Sequence, residues 1–102
     1  MRTCKPIETD TTFDMAGLLC PECGGEGCLH HKAVQVFQRD EDATSYYTIV
    51  GEIPKKLNEV NPSERRDGMR VYFECERCGD VSPFALVQHK GNTLLYWELK
   101  EK

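Results

Sequence analysis

The sequence has no long run of apolar residues, so no segment is predicted to span a membrane. Glu8, Asp10 and Asp14 interrupt residues 1–20, where the apolar core of a secretion signal would lie. Positive charge is not in excess either, because 13 Lys and Arg face 17 Asp and Glu, for a formal net charge of −4. We therefore expect a chain that works in the reducing cytosol where it is made.

The length of 102 residues allows one small domain. Apolar residues make up 39 % of the chain and charged residues 29 %, which is typical of a small globular domain. A chain of this size has a modest core, so a metal ion or a covalent link would add needed stability. We predict a polar leader over residues 1–17 and a single domain over residues 18–102.

The cysteines favour a metal site over disulfides. Their density is below that of disulfide scaffolds, and no secretion signal indicates an oxidising compartment. Four of the six form two copies of C-x-x-C-G, at 20–24 and 75–79. Each tight turn lets two sulfurs face one ion, and the glycine permits a positive φ where the backbone folds back. Cys20, Cys23, Cys75 and Cys78 are thus predicted to hold one structural Zn²⁺ tetrahedrally, although spacing alone leaves iron open.

For the other cysteines and the neighbouring histidines, a role outside metal binding is the favoured interpretation. Cys28 is interpreted as a small residue at the start of a strand, and His30 and His31 as ordinary strand or surface residues. The spacing leaves open whether Cys28 or His30 takes part in metal binding. Cys4 is predicted to be a free thiol in the leader.

Patterns of β-branched and aromatic residues predict antiparallel hairpins. The first spans residues 32–39 and 44–50, and the last spans residues 81–89 and 93–99, around a turn at 89–92. Between them, Met69–Cys75 alternates cleanly. Residues 51–68 are rich in Gly, Pro and Asn and are predicted to form a long loop. The predicted fold is a small metal-stabilised all-β domain. It is a zinc ribbon in which each C-x-x-C-G turn forms one zinc knuckle.

The order of these motifs resembles a known family. Leu-Leu-Cys-Pro-Glu-Cys-Gly is followed by Leu29-His30-His31, by Phe73-Glu-Cys-Glu-Arg-Cys-Gly79 and by Gln88-His-Lys-Gly-Asn-Thr93. Over residues 18–99 the chain is similar to small zinc-ribbon proteins encoded by bacteriophages and prophages, most of them of unassigned function. The resemblance implies zinc on the four knuckle cysteines and a place in the cytoplasm of a bacterial host. Cys28 departs from the shorter spacing usual in that family.

The leading functional hypothesis is a non-enzymatic binding module whose partner is a host protein. Tyrosine and arginine are enriched at binding hot spots. They supply the candidate contact residues, which are Tyr46, Tyr47, Arg65, Arg66, Tyr72 and Tyr96. The alternative for the tyrosines is that they pack on the sheet.

Two other functions, nucleic-acid binding and catalysis, are less favoured by the sequence. A nucleic-acid-binding zinc ribbon of the transcription or replication type could use Lys55-Lys56 and Arg65-Arg66, but the acidic balance disfavours it. An enzyme is not expected, because four thiolates close the coordination sphere that a catalytic zinc keeps open. The sequence also shows no phosphate-binding glycine loop and no H-E-x-x-H motif.

Overall fold

The computed structural model describes residues 4–5, 7–12, 15–40, 44–64 and 66–98. In this part of the chain the regular elements are all β-strands. They are β1 (Cys4–Lys5), β2 (Thr9–Thr12), β3 (Met15–Leu18), β4 (Leu29–Arg39), β5 (Ser45–Gly51), β6 (Gly68–Cys75), β7 (Gly79–Asp80), β8 (Phe84–His89) and β9 (Asn92–Glu98). The described residues contain no helix long and apolar enough to cross a membrane.

The strands form one large antiparallel sheet and one small hairpin. The order across the large sheet is β1-β9-β8-β6-β4-β5, with β7 added beside the end of β6. Strands β2 and β3 pair only with each other. The predicted all-β, antiparallel class is therefore confirmed for the described residues.

Both predicted hairpins are present with small shifts at their ends. Strands β4 and β5 pair from Ala33↔Gly51 to Arg39↔Ser45. In the β8–β9 turn, Lys90 and Gly91 take positive φ values of 49° and 83°. Asn92, which falls within the predicted turn at 89–92, is the first residue of β9.

The leader contains three strands that the sequence analysis did not predict. Strand β1 adds to the edge of the sheet through the pairs Cys4↔Glu98 and Lys5↔Trp97. The sequence Thr9–Thr12 is polar throughout, so its pairing with β3 carries no hydrophobic pattern that could reveal it. Phe13 of the leader lies outside the described residues.

The described residues of the segment 52–67, which we call the covering segment, lie across one face of the sheet. Its backbone carbonyls at Asn58 and Val60 accept hydrogen bonds from side chains of β4 and β6. The buried side chains on that face are Ala33, Gln35, Phe37, Arg70, Tyr72, Ala85, Val87 and Tyr96. The long loop is thus a structural cover for the sheet, and its described residues contain bends and no helical turn.

The opposite face carries two cross-strand rows, which we call the apolar face. The register places Val50, Val34, Val71, Phe84 and Trp97 in one row, and Thr48, Val36, Met69, Leu86 and Leu95 in the next. Thr48 is the single polar residue of these ten, and none of the ten is charged. Only Trp97 is fully buried, between the rings of Phe73 and Phe84 at 5.5 Å each.

Candidate metal centre

The two C-x-x-C-G turns meet at one end of the sheet. The first precedes β4, and the second connects β6 to β7, so the pairing of β4 with β6 brings both turns together. The Sγ atoms of all four predicted ligands lie within 4.8 Å of one another. Cys20 and Cys78 are 4.0 Å apart, and Cys23 and Cys75 are 3.8 Å apart. Four sulfurs at 2.3 Å from a tetrahedral Zn²⁺ would be separated by about 3.8 Å, so the spacing fits a metal ion.

The two turns share the burial pattern of their cysteines, and in each a backbone amide is directed at the sulfur of the first cysteine. In each, the first cysteine is buried and the second is exposed. The Cys23 amide donates to Cys20 Sγ at 3.5 Å, and the Arg77 amide donates to Cys75 Sγ at 3.4 Å. Backbone amides directed at the sulfurs stabilise thiolates, which are the form that binds metal.

The glycine after each second cysteine is needed for its backbone conformation. Gly24 has φ +71° and Gly79 has φ +79°, and neither has an atom within 4 Å of the place a Cβ would occupy. Space is therefore not limiting at these positions. The left-handed conformation, which an L side chain adopts at a cost, explains the repeated glycine.

The thiol pKa values differ across the cluster. Hydrogen bonds, chiefly from the Arg77 amide, lower the pKa of Cys75 to about 6, although burial opposes the shift. The Gly25 backbone lowers the pKa of Cys23. Although Cys78 is exposed as a residue, local desolvation of its sulfur and hydrogen bonds to the other three thiols raise the pKa of Cys78 to about 12. Metal binding requires deprotonated thiols, so a divalent cation that binds among the four sulfurs would displace their protons.

Cys28 is a fifth sulfur beside the cluster. It is buried, and its Sγ lies 3.4 Å from Cys75 Sγ and 3.5 Å from the Gly25 carbonyl oxygen. The hydrogen bond to Cys75 is the main cause that raises the pKa of Cys28 to about 12. The Cys75 thiol donates to Cys28 Sγ, and the Cys28 thiol donates to the Gly25 carbonyl oxygen. Cys28 is not one of the four mutually close sulfurs. The five cysteines whose side chains are described are free thiols.

His30 and His31 are exposed and lie outside the cysteine cluster. His30 Nε2 lies 2.8 Å from Glu76 Oε1 on the surface, and His31 is exposed. Among the described residues, neither belongs to the metal-ligating group.

The predicted partner-contact residues are divided between surface and core. Tyr46 is 45 % exposed. Arg66 is also exposed, and its carbonyl accepts a hydrogen bond from Asn61. Tyr47 is half-buried, with its ring 5.3 Å from that of Phe37 and its hydroxyl donating to Glu59 at 3.1 Å. Arg65 lies outside the described residues.

Tyr72 and Tyr96 are buried on the covered face of the sheet. The Tyr72 hydroxyl donates to Gln35 Oε1 at 2.8 Å and accepts from the Asn58 amide at 3.2 Å. Tyr96 packs with Ala85 and Val87. These two tyrosines pack on the sheet in this structure, and their rings are not available at its surface.

The ion pair between the buried Arg70 and the half-buried Glu98 was not predicted from the sequence. Arg70 is 1 % exposed, and its guanidinium contacts the Glu98 carboxylate through two nitrogens, one of them at 3.1 Å from Glu98 Oε2. An arginine within an alternating strand suggests a solvent-facing position. The available signal was the alternation of β6, which places Arg70 on the face of the strand opposite to that of Met69 and Val71.

Comparison of the chain with known protein families, curated proteins and solved structures finds no match in any of the three. The likeness to phage zinc ribbons therefore depends on the sequence motifs alone.

Proposed function

We propose that the chain is a zinc ribbon in which Cys20, Cys23, Cys75 and Cys78 hold one structural Zn²⁺. The observation that carries the proposal is the set of four sulfurs within 4.8 Å of one another. Bound zinc supplies a cross-link between two segments more than 50 residues apart in the sequence. Because all four ligands are protein thiolates, the ion has no open position for a substrate, which supports a structural role.

Substitution with Co²⁺ tests the ligand set. A tetrahedral site of four thiolates gives intense visible absorption bands together with sulfur-to-cobalt charge transfer. We expect one equivalent of Co²⁺ to saturate these bands, and one equivalent of Zn²⁺ to abolish them. Elemental analysis of the protein as purified distinguishes zinc from iron, and an iron content of one per chain would contradict the zinc assignment.

We further propose that the protein acts by binding another protein through its apolar face. Several side chains of this face are well exposed, with Val50 at 69 %, Leu95 at 48 % and Val36 at 38 %. Tyr46 lies beside the two rows and is also exposed. Uncharged, exposed apolar surface on a chain with 29 % charged residues is characteristic of an interaction site. The sequence resemblance makes a protein of the bacterial host the first partner class to test.

Nucleic acid is less well supported as the partner. Lys32 lies 3.3 Å from Glu74 and 3.9 Å from Glu52, and Arg70 is buried against Glu98. Four thiolates and one Zn²⁺ would make the formal charge more negative by two units than the −4 of the sequence. Phosphate neutralisation dominates affinity for nucleic acid, so this charge opposes binding.

The partner surface is tested by capture from a bacterial lysate with and without nuclease. We expect one captured protein that survives nuclease, and we expect Val36→Asp and Leu95→Asp to abolish its capture. Val60→Asp is the matched control, because Val60 is 70 % exposed and lies outside the apolar face. Capture of nuclease-sensitive material alone would favour the nucleic-acid function, and capture that Val36→Asp leaves unchanged would exclude the apolar face.

A further inference from the structure

Strand β5 forms an open edge of the large sheet. It is the last strand in the order, whereas the other side of the sheet ends in the two-residue strand β1. Natural sheets protect such edges with charged residues, proline, bulges or a covering segment. The β5 sequence Ser-Tyr-Tyr-Thr-Ile-Val-Gly has no charged residue and no proline. Among the described residues, none pairs with its outer side.

The hydrogen bonds at both ends of the β4–β5 hairpin show which amides face outward. At one end the Asp40 amide donates to the Thr44 carbonyl, and at the other the Glu52 amide donates to the Lys32 carbonyl. In an antiparallel pair, successive residues alternate between bonding to the partner and pointing away from it. The even-numbered residues of β5 therefore bond to β4, and Tyr47 and Ile49 direct their N–H and C=O groups away from the sheet.

We propose that β5 pairs with β5 of a second copy of the chain, antiparallel about a two-fold axis at Thr48. In this register Tyr47 of each copy lies opposite Ile49 of the other. Both residues present outward N–H and C=O groups, so each of the two pairs can exchange two backbone hydrogen bonds. The register that satisfies the backbone is thus also the symmetric one, as an isologous dimer requires.

The side chains are self-complementary in the same register. Tyr46 of one copy faces Val50 of the other, which is a favourable aromatic and β-branched cross-strand pair. Thr48 faces its own symmetry mate, and no like charges are opposed within the strand. The antiparallel arrangement also directs Asp40, before β5, toward the end where Lys55 and Lys56 follow β5 in the other copy.

The size of the interface indicates a weak, reversible dimer. A strand of seven residues is about 24 Å long at 3.4 Å per residue. Edge pairing of that length buries on the order of 1,000 Å² in total, which is at the lower limit of specific interfaces. We expect a dissociation constant in the micromolar range. The pairing goes beyond the proposed function and does not depend on which metal or partner is bound.

Sedimentation equilibrium of the full-length, metal-loaded chain across micromolar concentrations tests the proposal. We expect a monomer–dimer equilibrium whose dissociation constant rises at least about tenfold in Thr48→Lys, because two like charges then meet at the axis. Ile49→Pro removes an outward amide and should have the same effect without loss of a bond to β4. Val60→Lys, which introduces the same charge at an exposed residue outside the proposed interface, should leave the equilibrium unchanged.

Amide hydrogen exchange provides a residue-specific readout on the wild-type chain. Protection of the Tyr47 and Ile49 amides should increase with protein concentration, whereas Thr48 and Val50, bonded to β4, should be protected at all concentrations. A wild-type chain that stays monomeric to several hundred micromolar would overturn the proposal. A dimer that survives both Thr48→Lys and Ile49→Pro would overturn it as well.

Discussion

At the scale of single residues, Arg70 connects three parts of the molecule. Its guanidinium donates to the carbonyls of Asn58 at 3.1 Å and Val60 at 3.0 Å, and to the carboxylate of Glu98. It also lies 5.5 Å from the centre of the Phe37 ring. One buried charge thereby links β6 to β9 and to the segment that covers the sheet.

Removal of the charge on Glu98 should destabilise the protein strongly. We expect Glu98→Gln to lower the free energy of unfolding by about 3 kcal/mol, because the Arg70 charge would stay buried without its counterion. Glu76→Gln is the matched control, since Glu76 pairs with His30 on the surface, and it should cost at most about 0.5 kcal/mol. Urea unfolding of both variants measures the difference, and equal costs would contradict the role of the buried pair.

Two cysteine variants distinguish a metal ligand from its neighbour. Cys28→Ala should still bind one metal ion, with affinity reduced about 10- to 100-fold through loss of the hydrogen-bond contact between Cys28 and Cys75. Cys78→Ser should lose the four-thiolate cobalt spectrum, because it removes one ligand. Cobalt titration of the two variants checks this, and the reverse pattern would show that Cys28 is the ligand.

At the scale of elements, the end of β5 depends on the lack of a side chain at Gly51. A Cβ at Gly51 would lie 2.3 Å from the Lys32 carbonyl oxygen, and its φ is +106°. The same oxygen accepts a hydrogen bond from the Glu52 amide, so the backbones of β4 and of the covering segment are in contact at Lys32. The close approach leaves no room for any larger residue.

Replacement of Gly51 by alanine should therefore cost more than replacement of a glycine in open space. We expect Gly51→Ala to lower the free energy of unfolding by at least about 2 kcal/mol, from backbone strain and the clash together. Gly91→Ala should cost only about 1 kcal/mol, because φ is +83° but no atom lies within 4 Å of its Cβ position. Chemical denaturation at a concentration where both variants are monomeric compares the two, and equal costs would contradict the close approach.

The elements that the sequence predicted are those with a local signal. Alternation and turn residues predicted the hairpins β4–β5 and β8–β9, and the C-x-x-C-G turns predicted which four sulfurs come together. The loop over residues 51–68 was predicted as a loop, but its position over the sheet and the strand β1 were not, because their contacts are distant in the sequence. Their stability comes from contacts such as Arg70 to Asn58, which no local pattern encodes.

At the scale of the whole molecule, the two faces of the sheet differ in a way that composition could not reveal. Arg70 and Gln35 are buried, whereas Leu95 and Val50 are exposed. The covering segment accounts for this difference in burial. It supplies carbonyl acceptors to polar side chains on one face and leaves the apolar face without a described cover. Alternation in β6 showed two faces, but only the position of residues 52–67 shows which face is buried.

The metal centre and the sheet are joined at one end. Cys20, Cys28 and Cys75 form a buried cluster with Val81, and Leu29 and Phe73 pack against it. Phe73 in turn contacts Trp97, so the core of the sheet continues into the cysteine cluster. Loss of the proposed metal ion from the four cysteines should therefore disturb the sheet as well as the two turns.

Removal of the metal with simultaneous observation of the fold tests the central claim most directly. In a chelator titration, the amide spectrum of the protein and the amount of zinc released are followed together. We expect one Zn²⁺ to be released per chain, and the signals of the sheet to be lost in proportion to the zinc released. The reason is that metal-binding energy is folding energy in such sites. Zn²⁺ added back should restore the spectrum. A chain that keeps its full spectrum without metal, or that releases no stoichiometric zinc, would contradict the account.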